Sequence, residues 1–300
     1  MNPIIKLESV TKLYGRIAAV NNLSLEVSDG EILGVIGPNG AGKTSTLKMM
    51  VGLLTPTSGT VEVMGRNVAK DGRYVKKHTG YLPEEDSLYE NMTVRQYLLF
   101  FSELYHIPKA QANERISSLL QSLQLAAKNV YAGELSKGMR RKVSIARTLL
   151  HDPALLVLDE PNAGLDPLTS VFVNDYLKKL NRQGKTIVLS AHNLFHVEYV
   201  CDRIAIINNG KLCAFDTVNS IREKLGNREY KAIFSADADL DYEKQDGNYV
   251  FQTTDIRQIT SLLERISEQN WVLLDLSMHQ LALEEVYVKI IKGMGDQPDS

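Results

Sequence analysis

Cysteine is nearly absent: Cys201 and Cys213 are the only two in a chain of 300 residues. A pair so placed makes neither a disulfide framework nor a zinc-ligand pattern, which suits a reducing cytoplasm. Long hydrophobic runs are missing as well. No uninterrupted apolar stretch approaches the roughly 18 residues of a membrane span, so any membrane component is expected to be another chain. The start, Met1-Asn2-Pro3-Ile4-Ile5-Lys6, enters strand-like sequence without the apolar core of a secretory signal. An excess of one charge sign is also lacking, and a net charge of -2 gives no hint of a nucleic-acid partner. The chain shows no internal repeat and no second phosphate loop.

What is present is enough apolar material for a sizeable core, 44% of residues. The length fits one large domain with a small appendage, or two domains. One stretch organises the chain: Gly37-Pro38-Asn39-Gly40-Ala41-Gly42-Lys43-Thr44. It follows the apolar strand-like run Ile32-Leu33-Gly34-Val35-Ile36 and precedes a helical stretch that begins Ser45-Thr46-Leu47. That is the context required of the phosphate-loop pattern G-x-x-x-x-G-K-[ST]. Glycines let successive N–H groups turn inward around a polyphosphate, and the following helix offers the positive end of its dipole. Lys43 is expected to bridge the outer phosphates and the Thr44 hydroxyl to ligate Mg²⁺.

The rest falls into order around this loop. Residues 4–10 and 23–27 read as strands around a polar turn with Tyr14-Gly15-Arg16, where Tyr14 either stacks on a base or packs at the sheet margin. Gly59 to Gly65 and Thr79 to Pro83 read as further strands, the second followed by the acidic loop Glu84-Glu85-Asp86. Helices are expected from Thr93 and over residues 109–124, with leucines and aromatics forming core. Ser136 opens another helix bearing Arg140, Arg141, Lys142 and Arg147, which reads as a solvated face rather than a nucleic-acid site.

Ala154 to Leu158 is a second buried strand, ending in Asp159-Glu160-Pro161. An apolar run closed by Asp is the pattern that holds Mg²⁺ opposite a phosphate loop, and Glu160 stands where a general base could polarise water. A helix over 167–182 and a third buried strand, Lys185 to Ser190, deliver His192 to the same strand edge. His192 and His196 stand four apart on an expected helix, but no third ligand accompanies them. Two strands joined by Asn208-Asn209-Gly210 form a hairpin. Residues 226–293 read as a small α+β module with strands at 230–236, 249–254 and 271–276, and a tail at 294–300 is expected to be disordered.

Taken together, residues 4–225 resemble the nucleotide-binding subunit of ATP-binding cassette (ABC) transporters. Tyr14 matches the aromatic A-loop, Gly37 to Thr44 the Walker A loop, and Leu155 to Glu160 the Walker B strand with its glutamate. Leu135-Ser136-Lys137-Gly138-Met139 matches the signature motif, Ala163-Gly164-Leu165-Asp166 the D-loop, and His192 the switch histidine. The resemblance implies an α/β P-loop cassette over residues 1–225, with an antiparallel subdomain, a helical signature subdomain near 90–150, and the accessory module beyond. It implies an ATPase whose nucleotide is held by Tyr14, Gly37, Pro38, Asn39, Gly40, Ala41, Gly42, Lys43, Thr44 and Ser45. Thr44, Asp159 and Glu84 would hold Mg²⁺; Glu160, His192 and Lys43 would be catalytic. Ser136 and Gly138 would grip the ATP bound to a partner subunit, in a homodimer or heterodimer.

Two departures matter. Lys137 and Met139 replace the usual third and fifth signature residues, and Glu84 stands at the glutamine position of the Q-loop, adding charge beside the γ-phosphate. With the C-terminal module, these features resemble the ABC-2 type branch of exporters, whose ATPase chains lie on the inner face of the membrane against separate permease chains. A soluble cassette protein acting on ribosomes or DNA is the alternative, but the chain has neither paired cassettes nor a long coiled-coil insertion. A non-catalytic nucleotide sensor is opposed by Glu160 and His192.

Overall fold

The computed structural model describes residues 3–225, 229–236, 239–279 and 282–293. The chain divides into two compact units, Met1–Thr217 and Val218–Ser300.

The first unit opens with a hairpin, β1 (Ile5–Tyr14) and β2 (Ile17–Val27). Both strands run further than the alternation predicts. Their pairing is interrupted by register shifts, and Ser9 and Asn22 take positive φ of 48° and 50°. Such bulges break the period of two that a sequence pattern relies on. Next come β3 (Ile32–Ile36), α1 (Lys43–Met50), β4 (Ser58–Val63), β5 (Arg66–Asn67) and α2 (Val68–His78). The strand β6 (Thr79–Leu82) leads to α3 (Val94–Leu104) and α4 (Lys109–Ser122). The order ends α5 (Lys137–Leu149), β7 (Leu155–Leu158), α6 (Pro167–Arg182), β8 (Thr186–Ala191), α7 (Leu194–Val200), β9 (Arg203–Asn208) and β10 (Lys211–Thr217).

The strands make two sheets, an antiparallel one ordered β2-β1-β4-β5 and a six-stranded one ordered β10-β9-β3-β8-β7-β6. Within the second, β9, β3, β8, β7 and β6 are parallel and β10 closes the edge antiparallel to β9. Every residue of β3, β7 and β8 is buried, which explains why these strands read as continuous apolar runs. Because they run parallel, the loops after β3, β6, β7 and β8 meet at one edge, where open α/β sheets bind ligands. Leu47, Met49 and Met50 of α1 are fully buried; each contributes roughly 1.5–3 kcal/mol of apolar burial, which fixes the helix beneath the phosphate loop.

Helices α3, α4 and α5 pack on one another, burying Tyr97, Leu98, Ile116, Leu120 and Val143. Thr93 starts α3 with a reciprocal cap: it accepts from Gln96 N at 3.2 Å, and Gln96 Oε1 accepts from Thr93 N at 2.9 Å. Among the described residues, no helix is long and apolar enough to cross a membrane.

The second unit comprises α8 (Val218–Leu225), β11 (Glu229–Ser235), β12 (Glu243–Gln245), β13 (Asn248–Thr253), α9 (Ile256–Glu268), β14 (Val272–His279) and α10 (Leu283–Gly293). Its sheet is ordered β12-β13-β11-β14, and α9 covers Ala232, Phe234 and Tyr249 with Ile259, Leu262 and Ile266. The division at Thr217 falls before the boundary expected at 225, because α8 packs against α10. The polar stretch expected as a loop at 243–248 contains β12, turned back by Asp246 and Gly247 at φ 52° and 82°. The tail at 294–300 lies outside the described residues.

Candidate active site

Glycine is needed in the loop after β3 for reasons of contact as well as conformation. A Cβ on Gly37 would lie 2.2 Å from Ile207 O, and one on Gly42 would lie 2.2 Å from Ala19 O. Gly42 also sits at φ 101° as the residue that opens α1, a region open to glycine and costly for other residues. The β9–β10 turn supports the loop from outside, with Gly210 N donating to Ala41 O at 3.0 Å. Inside it, the buried Lys43 ammonium donates to Gly37 O at 2.8 Å and Pro38 O at 3.3 Å. The cation is thus held across the mouth of the loop by carbonyl oxygens, a geometry that phosphate oxygens can take over.

Opposite stands the end of β7. Asp159 is 2% exposed, and its Oδ1 accepts from Ser190 Oγ at 2.6 Å. The same Ser190 oxygen accepts from Glu160 N at 2.9 Å, so one buried hydroxyl fixes two consecutive acidic residues. Glu160 has φ 48°, a left-handed backbone unusual for such a residue, of the sort that clusters at functional sites. Its Oε2 accepts from His192 Nδ1 at 2.8 Å and from His192 N at 3.3 Å. A carboxylate cannot donate, so that bond puts the proton on Nδ1. Burial pushes the Tyr81 hydroxyl up to about 12, and the negative charges of Asp159 and Glu84 push the same way.

Asn39, Gly40, Ala41, Gly42, Lys43, Thr44, Ser45, Glu84, Asp159, Glu160 and His192 together line one cleft of about 620 Å³. Gly37 and Pro38 stand behind it as acceptors for Lys43. Tyr14 does not line the cleft. It is 49% exposed at the tip of the hairpin whose Ala19 does, with the Lys12 ammonium 5.5 Å from its ring centre. Ser136 and Gly138 also stand apart. Ser136 caps α5 by accepting from Met139 N at 3.3 Å, and Gly138 lies against Thr169. The arrangement leaves the signature residues outside their own chain's cleft. His192 precedes α7 rather than lying on it, and His196 is bonded to Asn174 Nδ2 at 2.9 Å, with burial first and the neighbouring His192 second lowering its pKa.

Residues 20–163 match the family model described as ABC transporter. Over 306 aligned residues the chain is 33% identical to the bacitracin transport ATP-binding protein BcrA of Bacillus licheniformis, covering 98% of this chain and 99% of BcrA. The chain belongs to the ABC transporter ATPase family. The cassette is also 38% identical to the Nod factor export ATP-binding protein I of Cupriavidus metallidurans, over 71% of either chain. With the probable multidrug ABC transporter ATP-binding protein YbhF of Escherichia coli it shares 37% identity over 75% of its own length, but spans only 39% of YbhF. Among solved structures, the ATP-binding cassette MJ0796, dimeric and bound to ADP and Pi, superposes with a TM-score of 0.65 at 26% identity, covering 71% of this chain and 98% of that one.

Two residues of this ABC ATPase escaped the reading of its sequence. Ser190 is the second-last residue of the buried strand β8, and a hydroxyl at the strand's C-terminal end was the available signal. Arg141 sits in a run of cations yet is 1% exposed. Arg140, Lys142 and Arg147 are partly exposed, so Arg141 is the member of the run that departs from a solvated face.

Proposed function

We propose that the chain binds MgATP at this cleft, hydrolyses it together with a second cassette subunit, and thereby drives export through separate ABC-2 type membrane subunits. The observation that carries the proposal is the Glu160 carboxylate, held by His192 at 2.8 Å on the rim of the cleft that the phosphate loop lines.

Each residue has a role that follows from its chemistry. Backbone N–H groups of the loop and the N-terminus of α1 receive the phosphates, and Lys43 neutralises their charge. Glu160 accepts a proton from the attacking water, while His192 keeps the carboxylate turned toward the cleft and can contact the γ-phosphate. Asp159, Glu84 and the Thr44 hydroxyl offer hard oxygen donors around one space, a set that fits Mg²⁺. Bound there, Mg²⁺ would offset phosphate charge. Glu84 supplies a carboxylate where a neutral amide would serve, so it favours the cation more strongly but donates no hydrogen bond to phosphate.

Exposed Tyr14 fits an adenine platform outside the phosphate cleft. The capped start of α5 at Ser136 fits a γ-phosphate grip acting on a partner's nucleotide, which makes the working unit a homodimer or heterodimer. The dimeric MJ0796 cassette supports that arrangement, and the export named for the Nod factor protein supports the direction. No nucleic acid is required. The chain would sit on the inner face of the membrane against its permease partners.

The test is affinity purification of the tagged Glu160→Gln chain from detergent-solubilised native membranes in MgATP. Recovery of a stoichiometric multi-span membrane protein is expected. Recovery solely with ribosomes or nucleic acid would replace transport with the soluble alternative.

A further inference from the structure

Arg141 lies in the second turn of α5, five residues after the Ser136 cap. Its guanidinium spends every N–H on acceptors from two segments far apart in sequence. Nε donates to Pro161 O at 2.9 Å, and Nη2 donates to Asp159 O at 3.0 Å and Glu160 O at 2.7 Å. Nη1 donates to Pro83 O at 2.9 Å, Glu84 O at 3.1 Å and Asp86 Oδ1 at 2.9 Å. Asp86 balances the charge, with side chains 2% and 12% exposed in the pair. Glu84, Asp159 and Glu160 therefore have their backbone carbonyls attached to one rigid planar group, and all three residues line the cleft.

We infer that Arg141 is a positioning residue that joins the signature helix to the two acidic loops of its own cleft, so that engagement of Ser136 by a partner's nucleotide re-aims Glu84 and Glu160 together. The inference rests on the proposed ATPase reading for its consequence, but the linkage itself is a matter of geometry. Lysine cannot replace it: an ammonium has three donors on one atom and cannot span acceptors on both segments, whereas the guanidinium has five in a planar fork. Separating the two loops would also take this donor from Asp159 O and Pro161 O, both buried, and a buried acceptor that loses its donor is costly.

The experiment compares the full-length chain with Arg141→Lys and Arg141→Gln by hydrogen exchange without nucleotide, by ATP turnover with Mg²⁺, and by thermal unfolding. Exchange should rise by about tenfold or more in peptides covering 83–88 and 159–164, with the β1–β4 region unchanged. Turnover should fall by about tenfold or more while KM for ATP stays within about threefold, since misplacement by an ångström away from the chemistry costs rate rather than binding. Unchanged exchange in both segments, or an increase spread evenly over the chain with a lowered melting temperature, overturns the inference. If the unsubstituted chain hydrolyses no ATP, the functional reading fails, and the exchange comparison still decides the linkage.

Discussion

At the scale of single residues, the cleft depends on atoms that have no room to be larger. Gly42→Ala places a Cβ 2.2 Å from Ala19 O at a φ of 101°, so the loop must reshape before it can close on phosphate. Affinity for a fluorescent ATP analogue should fall by about tenfold or more, about 1.4 kcal/mol, in a titration of the folded variant. Equal affinity would contradict the close approach. Ser190→Ala removes the hydroxyl shared by Asp159 and Glu160. Turnover should drop by about 10–100-fold, the usual effect of losing a partner that orients a ligating carboxylate, with KM little changed. The loop residues and Asp159 were legible because their spacing encodes their chemistry. Ser190 and Arg141 were not, because a serine in a strand and an arginine among cations look like ordinary choices until burial is known.

At the scale of elements, legibility followed periodicity. Helices α3 and α6 announce themselves through caps, and α4 through the regular apolar spacing of Ile116 and Leu120. Thr93→Ala removes one half of a reciprocal cap and should lower stability by about 1 kcal/mol in urea unfolding. Helix α2 buries only Val68 and Val75, too few apolar residues for a pattern, so the sequence reading passed over it. The loop after α5 holds a pH-dependent contact. His151 stacks on Tyr105 at 4.0 Å and its Nε2 bonds to Thr79 O at 3.2 Å, while its Nδ1 is buried among the described residues without a partner. Burial, chiefly, lowers its pKa from the ordinary value of 6.5. The neutral ring is therefore the folded form, and stability is full above that ordinary value and lost as pH falls through the lowered one. The urea midpoint of the unsubstituted chain should fall more steeply between about pH 7 and pH 5 than that of His151→Phe. Parallel slopes would remove His151 from the account.

At the scale of the whole molecule, the cassette and the C-terminal unit are separate compact bodies. The cassette was legible because several motifs occur in register, and the parallel strand order that gathers them follows from buried apolar runs. Its end was harder to read, since α8 looks like a closing helix of the cassette until its packing against α10 is seen. The MJ0796 match covers 98% of that cassette but 71% of this chain, which supports a self-sufficient first unit. A chain ended after Thr217 should keep its nucleotide affinity within about threefold. A role for the second unit in dimer formation would show as lost association in sedimentation.

The central claim is that ATP is hydrolysed in the cleft with Glu160 acting on the water. It is tested most directly by measuring ATP hydrolysis and nucleotide binding side by side in the full chain and in Glu160→Gln, with Mg²⁺ present. Binding should be retained while hydrolysis falls by about 10²-fold or more, as expected when a general base is removed. Near-normal turnover in the variant would contradict it.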